Sequence, residues 1–183
     1  MVLTTVFLLL AATTTPAEKI LQGAKDQLKS PARYDGSYRS ISYPGGDVAK
    51  GRGVCTDVIV RAFRNAGYDL QVLIHEDMAR ARYPGFAGKR DTNIDHRRVR
   101  NQAHFFKRHG KSLTLKTNRR SAKQWKAGDV VCWKLDSGLD HTGIVSDKIN
   151  LRRQPYVIHN IGLTKEEDVL TKWKIVGHYR YPK

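Results

Sequence analysis

The apolar pattern changes period near residue 110, and that change constrains the fold more than any other feature. Before it, apolar residues recur at helical spacing; after it, short runs rich in Val, Ile, Trp and Tyr alternate with turn residues. Ile20, Leu21, Ala24 and Leu28 mark a helix over 17–28, which Ser30-Pro31 ends. Residues 32–53, rich in Tyr, Ser and Gly, read as an extended loop. Val58, Ala62 and Ala66, flanked by Ile59 and Phe63, mark a helix over 55–66, and Gly67 is placed to stop it. Residues 70–74 alternate weakly. A short helix around 75–81, a Pro-Gly turn at 84–85 and a basic helix over 97–109 follow, the last carrying Val99, Ala103 and Phe106. Strands are expected at 112–116, 128–135, 141–147, 155–161 and 174–181. Helices first and strands second predict an α+β domain, its N-terminal helices packed on an antiparallel sheet.

A chain of 183 residues suits one such domain, expected over 18–183. Met1 to Ala12 carry no charge, and Thr15-Pro16-Ala17 follow, ending in a small residue. This resembles a secretory apolar region and cleavage site over 1–17, without the usual preceding Lys or Arg. The expected location is therefore outside the cytoplasm, periplasmic or extracellular. No apolar run is long enough to span a membrane. The 33 basic and 17 acidic residues leave a net charge of +16, which draws the chain towards polyanions. No zinc-finger spacing or aromatic RNA-binding signature points to specific nucleic acid. An anionic envelope polymer suits an exported chain better.

The chemistry concentrates on Cys55, delivered by Gly51-Arg52-Gly53-Val54 to the first turn of the 55–66 helix. Helix N-termini favour negative charge, so a thiol there is expected to ionise more readily, and the thiolate is the nucleophile. His141 opens one strand and His159 lies on the returning one. A hairpin centred near residue 150 makes them direct cross-strand partners, with Cβ atoms about 4.5–5.5 Å apart. His159 then orients His141, whereas a slip of one residue puts Asn160 there instead. A cysteine nucleophile, a base and a third group that holds the base form a complete acyl-transfer set. The Cys55 N–H is the natural oxyanion donor. Tyr43, twelve residues earlier in a Pro-Gly-Gly turn, is the candidate hydroxyl for that side. His75-Glu76-Asp77 and Asp95-His96-Arg97-Arg98 are candidates for a substrate groove or, equally, an internal salt-bridge network.

Several segments together resemble a bacterial family of unknown function, domain of unknown function 1287. They are Tyr43-Pro44-Gly45-Gly46-Asp47, Gly53-Val54-Cys55-Thr56-Asp57-Val58, His75-Glu76-Asp77-Met78, Asn93-Ile94-Asp95-His96-Arg97-Arg98-Val99, Gly128-Asp129-Val130-Val131, His141-Thr142-Gly143-Ile144-Val145-Ser146-Asp147 and Val157-Ile158-His159-Asn160-Ile161-Gly162. The likeness covers about residues 20–181. That family in turn resembles the NlpC-type branch of the papain-like superfamily, whose members cut amide bonds in peptidoglycan stem peptides. The resemblance implies a papain-like fold, Cys55, His141 and His159 as a triad in the superfamily order, Tyr43 on the oxyanion side, and no cofactor or metal. One departure is that Val54 precedes the cysteine and Thr56-Asp57 follow it, where the superfamily has an aspartate before and Ser-Gly after.

Three alternatives use the same residues. The thioester could pass to an amine or alcohol, making an acyltransferase. The chain could be a non-catalytic binder of wall polymer. Cys55, His141 and His159 could hold zinc with Cys132 or His178, although no short paired-ligand spacing favours it. A Cys55–Cys132 bridge is a further possibility for an exported chain.

Overall fold

The computed structural model describes residues 13–183. Of the secretory signal expected over 1–17, the apolar run Met1 to Ala12 lies outside them. Helix α1 (Pro16–Asp26) begins at a capping box: Thr15 Oγ1 accepts from Glu18 N, and Glu18 Oε2 accepts from Thr15 N at 2.7 Å. Pro16 and Ala17, at the expected cleavage point, form its first turn. A parallel pair of two-residue strands, β1 (Arg33–Tyr34) and β2 (Arg52–Gly53), spans the long loop and leads into α2 (Cys55–Asn65).

Helix α3 runs over Leu70–Arg80, so the weak alternation at 70–74 belongs to a helix and not to extended chain. The physical cause is Asp69, whose carboxylate caps the helix by accepting from Gln71 N at 3.0 Å. The single basic helix expected over 97–109 is divided. A 3₁₀ turn covers Asp95–Arg97, Arg98 is extended, and α4 is Val99–His109.

Strands β3 (Lys111–Ser112), β4 (Val130–Lys134), β5 (Asp140–Ile149), β6 (Pro155–Asn160), β7 (Thr164–Glu167) and β8 (Lys174–Arg180) form one antiparallel sheet in the order β3-β8-β4-β5-β6-β7. The strand expected over 112–116 pairs only at Lys111 and Ser112. Past it, the Thr114 and Lys116 carbonyls are taken by the side chains of His178 and Trp125. Strand β7 was not expected at all.

Alternation along the strands divides the core into two layers. Val130, Cys132, Ile144 and Ile158 face the helices and pack with Ile59, Ala62, Phe63 and Phe106. Val131, Trp133, Val145 and Val157 face the other way, against Trp125, Val169 and Leu170. The architecture is therefore α+β, with helices on one face of an antiparallel sheet, as the period change predicts. Among the described residues no helix is long and apolar enough to cross a membrane.

Candidate active site

Cys55 is the first residue of α2, and the local sequence explains how its sulfur is surrounded. Val54, at the N-cap, has no side-chain oxygen with which to cap the helix. Asp57 instead reaches back to accept from Val54 N at 2.7 Å. Its two oxygens also accept from Arg97 Nε and Nη2 at 2.7 and 2.9 Å, in a buried bidentate pair. The amides of Cys55 and Thr56 thus remain free to donate to the sulfur, and they do, together with the Thr142 N–H of β5. Ladder pairing between β5 and β6 stops at Gly143↔His159, which leaves that Thr142 N–H to the thiol. The nucleophile candidate therefore lies against the residue that follows His141.

The ionisation expected for this thiol does not hold. Burial pushes Cys55 up to about 12; Asp57 adds to the rise, and the three amides only partly offset it. The helix N-terminus acts as anticipated, but desolvation is the larger effect at a residue only 5 % exposed. Cys132, also buried, is pushed up to about 12 for the same first reason. Both cysteines are free thiols, so no bridge joins them.

His141 and His159 meet as expected, though by a different register. They are not direct partners: His159 faces Gly143, two residues beyond His141. A shift of two preserves the face of every side chain, whereas a shift of one would not. Gly143 lets β6 approach closely beside His159, since a Cβ there would come within 2.5 Å of Val157 Cγ1 and 3.1 Å of His159 Cβ. His141 Nε2 and His159 Nδ1 are 2.9 Å apart, with the rings nearly perpendicular. Trp133 stacks over His141 at 5.7 Å, and Trp173 stands edge-on to both histidines. Burial in this aromatic box lowers His141 to about 3 and His159 to about 4; the adjoining His159 ring adds to the first shift, and Lys172 and then Lys165 add to the second. Both rings are neutral at pH 7.

Neutral rings allow a tautomer argument. His159 Nε2 lies 3.1 Å from Glu167 Oε2, within reach but not aligned as a hydrogen bond. A proton on Nε2 facing that carboxylate makes His159 Nδ1 an acceptor. His141 Nε2 then donates to it, and the lone pair remains on His141 Nδ1, the form a general base requires. Glu167 gave no sequence signal, because it lies on the unexpected strand β7.

A cleft of about 270 Å³ opens at Cys55, walled by Tyr34, Arg97, Arg98, Arg100 and Asp140 among others. Tyr34, not Tyr43, supplies the phenol here. Desolvation raises its pKa, followed by the effect of Cys55 and then Asp57 nearby. The β1–β2 pairing that delivers Tyr34 joins positions 19 residues apart, a contact that spacing along the chain does not reveal. Tyr43 packs edge-on against His75, with ring centroids 5.3 Å apart, and is not part of the cleft wall.

The expected groove residues divide. Arg97 and Arg98 reach the cleft. Asp77 does not: its carboxylate accepts from Tyr83 Oη and Arg108, with His109 at 2.9 Å. Burial works upward on it, but these partners hold it down at about 2. Asp95 is buried and accepts from Asp91 N, while His96 is buried with its carbonyl bonded to Gln102. His75 lines a separate depression with Met78 and Arg90. The charged segments mainly serve internal pairing, though with partners other than each other. Asn160 is buried and donates to Ala32 O at 2.9 Å and Gly53 O at 3.4 Å, joining β6 to the loop before Cys55. Among the described residues no group of three or more His, Cys, Asp and Glu side chains is placed to hold a metal ion.

What these elements define is an α+β domain whose helix-start cysteine abuts a strand hairpin that carries a bonded histidine pair, one ring on each strand. The chain belongs to the family described as Domain of unknown function (DUF1287), whose model matches residues 21–181. It is similar to the uncharacterized protein YijF of Escherichia coli (strain K12), with 50 % identity over 167 residues, covering 88 % of this chain and 80 % of that protein.

Proposed function

We propose that this chain is a cysteine hydrolase of papain-like, NlpC-type architecture that cleaves an amide bond. Cys55 is the nucleophile, His141 the general base and His159 the residue that orients it. The observation that carries this reading is the 2.9 Å bond between the two imidazoles on neighbouring strands β5 and β6, with the amide that follows His141 holding the Cys55 sulfur. Nε2 of His141 is committed to His159, so Nδ1 is the nitrogen left for the thiol.

The resting pair is neutral thiol and neutral imidazole. His141 Nδ1 takes the thiol proton as Sγ bonds to the carbonyl carbon, and His159 steadies the imidazolium that forms. The carbonyl oxygen becomes an oxyanion, stabilised by the Cys55 N–H and the Tyr34 hydroxyl. The imidazolium returns the proton to the leaving amine as the C–N bond breaks, leaving a thioester. Water, deprotonated by His141, attacks that thioester; the sulfur leaves as thiol and the product is a carboxylic acid.

Peptidoglycan stem peptides are the proposed substrates. Arg98 and Arg100 line the cleft, Arg98 half-exposed with only a 3.9 Å approach to Asp95, and stem peptides carry carboxylates for them to pair with. Export to an anionic envelope accords with the net charge of +16. Digestion of purified peptidoglycan, read by mass spectrometry, tests the whole reading. Wild type should release fragments with new amine and carboxyl ends, and Cys55→Ala should release none. Equal release by both proteins, or none by either, sinks it.

A further inference from the structure

At its far end, eight residues beyond His141, β5 leaves the catalytic chemistry behind. At about 3.3 Å per residue the separation is about 26 Å. Here the β5–β6 hairpin turns through Asn150–Gln154, and the turn is firmly built. Asn150 Oδ1 accepts from the amides of Arg152 and Gln154, both at 2.9 Å, and Asn150 N donates to Gln154 O. Gln154 Nε2 also reaches Thr117 O, which brings the 117–123 segment alongside.

This rigid tip displays apolar surface. Leu151 is fully exposed and Ile149 is 58 % exposed. A single exposed aliphatic side chain would need no explanation. These two stand together among cations. On one flank a depression of about 570 Å³ is lined by Arg119, Lys123 and Arg153 with Ala122 and Ile149, and by no carboxylate. On the other flank Arg152 lies beside Leu151 and Tyr156, and Lys148 Nζ sits 4.1 Å over the Tyr156 ring. Asp168 is the one acid lining that flank, and Asn150 Nδ2 holds both its oxygens at 2.9 and 3.0 Å.

We propose that this end of the molecule docks on an anionic lipid bilayer. Leu151 and Ile149 enter the boundary between headgroups and acyl chains, while Arg119, Lys123, Arg152 and Arg153 pair with lipid phosphates. Cations alone would serve any polyanion, including nucleic acid or wall polymer. Aliphatic side chains at the centre of the cationic ring gain only where hydrocarbon is available to receive them. In this docking the bilayer meets the end of β5 opposite Asp140, which lines the Cys55 cleft. The inference does not depend on the hydrolase reading.

Sedimentation of the full chain with vesicles tests it. Wild type should pellet with phosphatidylglycerol–phosphatidylcholine vesicles and remain in solution with pure phosphatidylcholine. Leu151→Asp and the pair Arg152→Glu/Lys123→Glu should each weaken pelleting about tenfold or more, since each removes one of the two sources of membrane affinity. Unchanged thermal unfolding of these variants shows that the fold is intact. Pelleting by Leu151→Asp equal to wild type would overturn the proposal in favour of a general polyanion surface. Failure of wild type to bind the anionic vesicles would also overturn it, as would tight binding to duplex DNA with none to vesicles.

Discussion

Two buried histidine clusters lie on this sheet, and they differ in how completely their polar atoms are satisfied. Around His178 every valence is used. Nε2 meets Asp129 Oδ2 at 2.9 Å, Nδ1 meets the Thr114 carbonyl at 2.8 Å, and the ring stacks on Trp125 at 3.6 Å. Arg180 completes the cluster with a bidentate pair to Asp129. Around His141 and His159 there is slack. His159 Nε2 is buried with no aligned partner, and His141 Nδ1 makes no hydrogen bond among the described residues. A satisfied cluster holds strands β4 and β8 in place and leaves nothing for a substrate. An unsatisfied one stores polar capacity that a reaction can use.

That contrast breaks or holds most visibly in a pair of substitutions. His141→Ala should lower kcat on muropeptides about 10²–10⁴-fold, the usual contribution of a general base, with little change in the melting midpoint. His178→Ala should do the reverse. It removes one buried partner of Asp129 and leaves Arg180 to hold the carboxylate, costing about 1–3 kcal/mol of unfolding free energy, while leaving kcat per folded molecule unchanged. Similar effects of the two substitutions on both readouts would erase the distinction.

Acid sharpens the comparison further. His141 and His159 titrate at about 3 and 4 in the fold, below an ordinary histidine at about 6.5. Between those limits the unfolded chain binds more protons than the folded one, so stability falls as pH drops from about 6.5 towards 4. The slope approaches about 1.4 kcal/mol per pH unit for each ring. Urea titrations across that range should show the loss, and the double variant His141→Gln/His159→Gln should lessen it, leaving the share of His96, which burial also lowers to about 4. An equally steep profile in that variant would mean the rings are not held neutral.

The smallest expected effect separates two tyrosines. Tyr34→Phe should lower kcat about tenfold without changing KM much, as loss of one hydrogen bond to a developing oxyanion would. Tyr43→Phe, a change far from the cleft wall, should leave both constants alone. If only Tyr43→Phe slows turnover, the assignment of the phenol is reversed.

Much of this was legible along the chain. The period change separates helices from sheet, Gly-x-Gly-x places Cys55 at a helix start, and the two histidines fall on neighbouring strands. What escaped did so for identifiable reasons. Thr164–Glu167 forms an edge strand without an apolar face, so its polar sequence shows no strand periodicity. The two-residue offset between the histidines follows from a turn centred near residue 152 in place of 150, partly undone by an irregularity between Val145 and Ile149, and periodicity registers neither. The raised thiol pKa reflects burial by distant segments, and Tyr34 reaches the cleft through a long-range parallel pair. Local pattern carries element type; desolvation and non-local pairing come only with the assembled fold.

Strand β6 ends in two consecutive residues that serve opposite faces: His159 holds the imidazole of His141, and Asn160 tethers the backbone at Ala32 and Gly53. Neighbours in a strand cannot be repositioned independently. If β6 frays or slides by one place, acid–base partner and nucleophile loop lose their anchors in the same event. Under the proposed hydrolase reading, the site is therefore either fully assembled or fully dismantled, with no half-competent form for a stray acyl group to encounter.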